Sequence, residues 1–248
     1  MTSVNPAIVI PVHQPSPSFY ELNSLRNVYH VLGDYNAYLV CPNSMDTSIY
    51  KSKAPNLKTI RLPDSHFKNV RSYNMLRKSS DLYRMFKAHS HVLFHELDSY
   101  VFRDELTKWC VLDVDYIGAP WMHTTKSGEL KCIGVGNSGL CLMRVQPTID
   151  LLEEFEESLK VGSDYFNNDP IFGWRDTRKL IHSVLNVDIY ISSIAKGTKY
   201  KIASYEQSKD FSFESKPKLM YLANNNKLPF GCHAWRRRNK KFWSKFIK

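Results

Sequence analysis

The sequence predicts an α/β protein whose central sheet is mostly parallel and flanked by helices. Short apolar runs alternate with amphipathic stretches through the first part of the chain, which is typical of strands joined by helical crossovers. The chain has 248 residues, of which 43% are hydrophobic and 13% aromatic, and this composition suffices for one buried core. It contains no internal repeat, low-complexity block or linker, so we expect a single domain over residues 1–248.

The first part of the chain follows this alternation element by element. An apolar run at residues 7–10 ends at Pro11 and predicts a strand, and residues 19–32 carry apolar side chains at helical spacing. Further strands are predicted at 38–41, 57–62 and 92–96, with a helix at 72–88. We expect these elements, about residues 1–102, to form a nucleotide-binding half.

The pattern is looser in the second part of the chain. Residues 116–118 predict a short strand, residues 124–131 a mobile polar loop and residues 140–143 another strand. Helices are predicted at 148–159 and 171–185. We expect these elements to extend the same domain and not to form a second one.

Charge and cysteine content restrict the function classes. Lys and Arg number 34 against 24 Asp and Glu, and the net charge of +10 favours nucleotide diphosphates, lipid phosphates or nucleic acid as partners. The five cysteines are scattered without a C-x-x-C pair, so neither a disulfide framework nor a zinc ribbon is indicated. No apolar stretch approaches the roughly 20 residues of a membrane-spanning helix, and no basic leader is present. We therefore expect a cytoplasmic protein.

Two carboxylates follow the last strand of the first half. The mostly apolar residues 91–95 stop at Glu96 and Asp98, which would point to the same side of an extended chain. Open α/β sheets bind ligands at this edge, and paired carboxylates suit hard cations such as Mg²⁺ or Mn²⁺. A solvated acidic turn is the alternative interpretation.

Several strings along the chain carry a family resemblance. They are Ala7-Ile8-Val9-Ile10-Pro11-Val12, Tyr73-Asn74-Met75-Leu76, Leu97-Asp98-Ser99-Tyr100-Val101-Phe102, Asp115-Tyr116-Ile117-Gly118-Ala119-Pro120-Trp121, Gly136-Asn137-Ser138-Gly139, Phe211-Ser212-Phe213-Glu214 and Pro229-Phe230-Gly231-Cys232-His233-Ala234-Trp235. In this order they resemble a family of small bacterial and viral proteins, DUF5672, which looks like GT-A glycosyltransferases. The resemblance runs from about Ala7 to Trp243, nearly the whole chain.

The resemblance implies a transfer reaction and the residues that carry it. A GT-A-like glycosyltransferase moves a sugar from a nucleoside-diphosphate donor to a saccharide or lipid-linked acceptor, here in surface polysaccharide synthesis. Asp98 and His233 would hold a divalent cation, Mn²⁺ or Mg²⁺, that bridges the donor diphosphate. The implied donor-binding residues are Pro11, Val12, Glu96, Asp98, Gly136, Asn137, Ser138 and Gly139. The acceptor-side half would be about residues 103–235.

Residues 134–139 match the dinucleotide fingerprint G-x-G-x-x-G letter for letter. That fingerprint must follow a strand and open a helix, whereas this segment follows a polar loop and leads into an extended apolar run. The resemblance to the family's Gly-Asn-Gly-Gly segment implies that the glycines let the backbone approach a sugar closely. A plain turn is the other interpretation.

Asp169 is the candidate catalytic base. The string Asn167-Asn168-Asp169 falls where the family has Asn-Glu-Asp, so Asn168 replaces the middle acid. In GT-A enzymes that resemble this layout, an acid in this region removes the proton of the acceptor hydroxyl. If Asp169 faces the leaving group from the opposite side, inversion follows. An ordinary helix N-cap before Pro170 is the alternative.

His233 lies in the turn-forming string P-F-G-C-H-A-W. In several GT-A families a late histidine completes the metal site or contacts the diphosphate, and neutral imidazole suits Mn²⁺. The resemblance therefore implies a metal ligand, whereas a lone histidine in a fold is more often structural.

The end of the chain, residues 236–248, is a basic and aromatic tail without an acid. If the tail is helical, Phe242, Phe246 and Ile247 share a face flanked by bases, which is typical of a helix on an anionic membrane surface. This interpretation would make the protein peripheral at the inner membrane face. The alternatives are a terminal segment whose aromatic groups pack on the body, and nucleic-acid binding, the least favoured of the three.

Two functional hypotheses follow. The first is a metal-dependent GT-A-like glycosyltransferase. The second is a non-catalytic sugar-binding or nucleic-acid-binding module on the same fold, because Glu96 and Asn168 differ from the family pattern. Release of nucleoside diphosphate with water as acceptor would separate the two.

Overall fold

The computed structural model describes residues 4–165 and 186–247, with side chains described for residues 4–156 and 186–247. The described strands are β1 Pro6–Pro11, β2 Asn36–Pro42, β3 Lys58–Leu62, β4 His91–His95, β5 Tyr100–Val101, β6 Tyr116–Thr124, β7 Leu130–Arg144, β8 Ser212–Phe213 and β9 Gly231–Cys232. The described α-helices are α1 Phe19–Val31, α2 Ser48–Lys53, α3 Val70–Arg77, α4 Ser80–Arg84, α5 Leu106–Cys110, α6 Val145–Tyr165, α7 Val187–Ile194, α8 Tyr205–Phe211, α9 Pro217–Ala223 and α10 Lys240–Trp243.

Six strands form the central sheet in the order β3-β2-β1-β4-β7-β6. β1 pairs in parallel with β2 and β4, and β2 pairs in parallel with β3. β7 is antiparallel to both of its neighbours, β4 and β6. The predicted α/β fold with a mostly parallel sheet flanked by helices is confirmed.

The central strands β1 and β4 are apolar because both faces of the sheet are covered. Ile8 and Leu93 point to the side where α1 packs through Leu25. Val9 and Phe94 point to the other side, into a second cluster with α4 and α6. This two-sided burial explains why β1 and β4 are short apolar runs in the sequence.

The helix predicted at 72–88 is two helices. α3 ends at Arg77, and the Ser79 side chain caps α4 by accepting a hydrogen bond of 3.2 Å from the Asp81 N–H. The break brings the Tyr83 hydroxyl to 3.0 Å from the Arg77 carbonyl, to which it donates. A serine cap therefore interrupts an apolar spacing that is otherwise continuous.

The predictions for residues 116–131 are wrong in part. β6 is longer than the predicted short strand at 116–118, and most of the predicted polar loop at 124–131 is a turn at 125–129 that joins β6 to β7 as a hairpin. The predicted strand at 140–143 is only the last part of β7. One side of the hairpin tip faces solvent, so its polar side chains hid the strand pattern.

Helix 148–159 is confirmed as part of the longer α6. The helix predicted at 171–185 and the candidate base Asp169 lie outside the described residues.

A second sheet, in the order β5-β9-β8, extends the fold beside the strand end of β4. β9 is antiparallel to β5 and parallel to β8. Behind this sheet lies an aromatic cluster that includes Phe213, Trp243 and Phe242. This cluster connects the tail to the body of the protein.

The aromatic groups of the tail pack inward. Trp243 is fully buried, and Phe242 and Ile247 are 8% and 5% exposed. The alternative of packing on the body is confirmed for these side chains, whereas the bases Lys241 and Lys245 remain exposed. Binding of the tail to a membrane surface stays a prediction, and only these exposed bases can support it. Among the helices described, none is long and apolar enough to cross a membrane.

Candidate active site

A cleft of about 920 Å³ lies at the carboxyl edge of the parallel strands. Pro11 and Val12 reach it from the end of β1, and Glu96 and Asp98 reach it from the turn after β4. In this turn the Ser99 N–H donates to the Glu96 carbonyl at 2.8 Å. The two acids are therefore brought to the same cleft by a tight turn, and not by strand alternation as predicted.

His233 joins the two acids from the segment after β9. Its Nε2 lies 3.0 Å from Asp98 Oδ1 and 3.5 Å from Glu96 Oε2. The His233 N–H donates to the Phe213 carbonyl at 3.0 Å, which fixes the residue to β8. The structure thus brings two sequence-predicted acids together with a sequence-predicted histidine that lies more than a hundred positions later in the chain.

Gly139 makes room for the His233 ring. A Cβ at Gly139 would lie 2.2 Å from His233 Nε2, which is closer than any side chain tolerates. The Gly139 carbonyl also accepts a hydrogen bond of 2.9 Å from the Glu96 N–H. The glycine therefore positions both an acid and the imidazole.

The protonation states of the group follow from its contacts. Burial lowers the pKa of His233, but hydrogen bonds to Asp98 and Glu96 outweigh it and raise this pKa to about 10. Burial conversely raises the pKa of Glu96 and Asp98, but the hydrogen bonds from His233 and its charge hold both below their usual range. Without a bound cation, the group is an imidazolium between two carboxylates.

Arginine side chains surround this group. Arg77 is 1% exposed and its Nη1 lies 3.9 Å from Glu96 Oε1. Its guanidinium lies 3.5 Å above the centre of the Phe94 ring, where a cation is favoured. On the open side, Arg237 Nη2 lies 3.8 Å from Asp98 Oδ2.

Glu214 forms the back of the group. Its Oε1 lies 3.8 Å from His233 Nδ1 and 3.4 Å from Arg238 Nη2. Glu214 is 6% exposed, so these two cations compensate most of the cost of burying its negative charge. The side chains of Glu214 and Arg238 both line the cleft.

The donor set fits a divalent cation. Glu96, Asp98 and His233 each offer one ligand atom, and the three atoms lie within 4.8 Å of one another. Carboxylate oxygens with one imidazole nitrogen suit Mn²⁺, and a smaller Mg²⁺ is also compatible. The set includes Glu96, which the family resemblance implied as a donor-binding residue and not as a metal ligand.

The glycine-rich segment lies within β7, so the plain-turn interpretation is wrong. Each of its glycines faces a side chain of the protein: Gly134 faces Trp121, Gly136 faces Tyr116 and Gly139 faces His233. The glycines therefore provide space for neighbouring side chains of the protein. The sequence predicted only that they let the backbone approach a sugar. Asn137, Ser138 and Gly139 line the cleft and stay predicted donor contacts, whereas Gly136 lies beside Tyr116.

Sequence reasoning missed four groups that lie in the cleft or directly behind it. They are Arg77, Trp121, Asp188 and Glu214. A base at the apolar spacing of a helix signals Arg77, and an acid directly after the string Phe-Ser-Phe signals Glu214. Trp121 and Asp188 carry no local signal, because a tryptophan in a strand and an acid at a helix start are common structural residues.

Comparisons with solved structures place this architecture in a known class. Mouse xyloside xylosyltransferase 1 in its apo form is 12% identical with a TM-score of 0.56, covering 95% of this chain and 99% of that one. Core-mannan synthase A from Aspergillus fumigatus, in its Mn/GDP form, is 8% identical with a TM-score of 0.53, covering 81% and 72%. The galactosyltransferase LgtC, in complex with donor and acceptor sugar analogs, is 15% identical with a TM-score of 0.51, covering 92% and 86%.

At these identities the likeness shows the fold alone, and that fold is a GT-A-like α/β sheet with a ligand cleft at its carboxyl edge. No curated protein sequence matches the chain. Residues 56–233 match the family model described as "Protein of unknown function (DUF5672)", and the chain belongs to this family. The resemblance found in the sequence is thereby confirmed.

Proposed function

We propose that the protein is a glycosyltransferase that moves a sugar from a nucleoside-diphosphate donor to a saccharide or lipid-linked acceptor. One observation carries the proposal: Glu96, Asp98 and His233 converge at the carboxyl edge of a GT-A-like sheet, inside a cleft of about 920 Å³. Ligands of open α/β sheets bind at this edge. The cleft is large enough for a nucleotide sugar.

The donor would lie along the parallel strands. Pro11 and Val12 would contact the nucleotide, and Asn137, Ser138 and Gly139 would contact the transferred sugar. A cation held by Glu96, Asp98 and His233 would supply Lewis-acid stabilisation of the leaving diphosphate. Arg237 and Arg238 are exposed cations of the same cleft and would bind diphosphate oxygens.

The acceptor hydroxyl needs a base. We keep Asp169 as the proposed base from its position in the sequence pattern. Inversion would follow if Asp169 removes the proton of an acceptor hydroxyl that attacks the anomeric carbon from the side opposite the leaving diphosphate. A cytoplasmic enzyme of surface polysaccharide synthesis, docked by its basic tail on an anionic membrane, is the setting that we propose. The net charge of +10 supports the anionic partners of this setting.

The proposal is tested with nucleotide sugars and Mn²⁺. We expect one UDP-sugar or GDP-sugar to raise the melting temperature only with the metal, since a ligand at about 100 times its Kd adds roughly 2.7 kcal/mol. The same donor should be hydrolysed slowly in a metal-dependent way. Asp98→Asn should lose both effects, whereas Asp34→Asn, at an exposed position away from the cleft, should keep them.

The outcomes separate the two hypotheses of function. Asp169→Asn should retain donor stabilisation and slow transfer by about 10²-fold or more. A chain that binds nucleotide sugars but never cleaves them would be a binding module. If no nucleotide sugar binds, with or without metal, the glycosyltransferase proposal is wrong.

A further inference from the structure

The side of the cleft formed by β6 and α7 has no role in the donor site proposed above. Trp121 of β6 and Asp188 of α7 both line it. Resting on the proposed glycosyltransferase function, we propose that these two side chains form the acceptor subsite for a pyranose sugar. Asp188 accepts hydrogen bonds from the hydroxyls of the sugar, and the Trp121 ring packs against the apolar face of the sugar.

The sheet order gives the direction from which the acceptor enters. β1 and β4 are neighbours, and β4 is followed by β7 and then β6. A donor nucleotide over the end of β1, with its diphosphate at Asp98, occupies the parallel side of the cleft. The space toward β6 and α7 is then left for the second substrate.

Asp188 is held in place by a neighbouring helix. Asn74 of α3 accepts a hydrogen bond of 2.8 Å from the Val187 N–H and donates one of 3.3 Å to Asn186 Oδ1. The start of α7 is therefore capped from outside by Asn74. The carboxylate of Asp188 is not needed for this capping, and one of its oxygens accepts a hydrogen bond of 2.9 Å from the Ile189 N–H.

Asp188 also differs from the other acids of the centre in its charge environment. Glu96, Asp98 and Glu214 each have a cationic partner within 4.0 Å. For Asp188, the charge of Arg77 acts on the carboxylate less than the opposing charge of Glu214 does. Burial raises the pKa of Asp188, and the nearby charge of Glu214 adds to this effect. Sugar hydroxyls are donors that would supply further hydrogen bonds to this half-buried carboxylate.

Trp121 is positioned by a glycine. It pairs with Gly134 across the hairpin, and a Cβ at Gly134 would lie 2.4 Å from Trp121 Cε3. The indole thus packs against Gly134 and is half-buried, while it borders the cleft. A rigid aromatic surface and a carboxylate that line the same cleft are together complementary to a pyranose, which has both an apolar face and hydroxyl groups.

The test uses the full chain with Mn²⁺, the active donor, and the methyl β-pyranosides of glucose, galactose and mannose as probes. One of them should either accept the sugar or suppress donor hydrolysis by excluding water. For that probe, Asp188→Asn and Trp121→Ala should each raise the half-saturating concentration about 10-fold or more. Trp121→Phe should recover most of the loss, and Asp34→Asn should show none.

Donor stabilisation by nucleotide sugar and Mn²⁺, measured by melting temperature, should keep its wild-type value in Asp188→Asn and Trp121→Ala. This measurement also shows that both variants are folded. If the wild type binds and cleaves donors, but both variants keep the wild-type half-saturating concentration, the acceptor subsite is wrong and the proposed function stands. A wild type that cleaves donors but neither uses nor responds to any pyranoside overturns the subsite as well. If no donor binds, the proposed function itself is wrong.

Discussion

The parallel half, β1 to β4, and the closing half, β6 to β9, contribute to one cleft in different ways. The parallel half contributes strand ends, which meet because parallel strands finish at a common edge. The closing half contributes side chains that fill the space over glycines, as His233 does at Gly139 and Trp121 at Gly134. In the parallel half, stability should therefore fall most when a buried charge loses its partner. In the closing half, stability should fall when a side chain next to these contacts becomes slightly larger.

The largest expected effect is at Arg77, which belongs to the parallel half but also contacts β7. Its Nη2 lies 3.5 Å from the Ser138 carbonyl, and its Nη1 lies 3.9 Å from Glu96. Arg77→Met should lower the free energy of unfolding by about 3–5 kcal/mol, because Glu96 loses one of its two cationic partners and the buried polar contacts of the guanidinium are lost. The measurement is chemical denaturation.

Arg84→Met is the matched control. Arg84 pairs with Asp81 and Glu153, but its side chain is 47% exposed. Solvent screens these pairs, so the loss should stay below about 1 kcal/mol. Equal losses of unfolding free energy in the two variants would contradict the prediction, because they would show that burial does not strengthen the contribution of Arg77.

The second prediction uses the other end of β4. Burial, followed by the charge of Arg144, lowers the pKa of His91 from 6.5 to about 4. Folding thus favours the neutral ring, so the contribution to stability is complete above about pH 6.5 and is lost as the pH falls toward 4. The loss should be about 3 kcal/mol, measured by denaturation at a series of pH values.

His91→Asn should remove this part of the loss of unfolding free energy at acid pH. His30→Asn, which replaces an exposed histidine of α1, should leave the pH dependence as in the wild type. An unchanged acid profile in His91→Asn would mean that other groups govern acid unfolding.

The third prediction tests volume in the closing half. Gly139→Ala places a methyl group 2.2 Å from His233 Nε2 and should cost about 1–3 kcal/mol of unfolding free energy. His233→Ala removes the obstacle, so the double variant should be more stable than the sum of the two single losses implies. Additive losses in this double-mutant cycle would contradict the contact between the glycine and the imidazole.

The smallest expected effect concerns the tail. Lys241 is exposed, whereas Trp243 beside it is fully buried, so charge and packing can be separated. If the tail docks on anionic lipid, Lys241→Gln should weaken binding to phosphatidylserine vesicles by about 1 kcal/mol without changing the melting temperature. Lys199→Gln, at an exposed position in the segment after α7, is the control. Equal effects of both changes would mean that only the overall charge matters.

The sequence predicted the parallel half well because its signals are local. Burial on both faces makes β1 and β4 continuous apolar runs, and the acid pair directly follows the second run. The site edge could therefore be located before any contact was known. Only the cause of the convergence differed, since a turn and not strand alternation directs Glu96 and Asp98.

The closing half was predicted less well because its determinants are long-range. Trp121 pairs with Gly134 through an irregular hairpin with several register shifts, so the sequence does not mark which side chain occupies which gap. His233 was found through the family resemblance, and its contact with Gly139 was not. Asp188 could not be distinguished from an ordinary helix-start acid until Asn74 was seen to cap that helix.

The pairing of β9 with β5 has a consequence for the order of events during synthesis. Asp98 precedes β5, whereas His233 follows β9 and lies far later in the chain. A ribosome releases the acid pair long before the imidazole, and non-local strand pairing is slow compared with local helix formation. The nascent chain therefore carries Glu96 and Asp98 uncompensated by His233 until β9 docks, and the proposed cation-binding group forms as one of the last steps of folding.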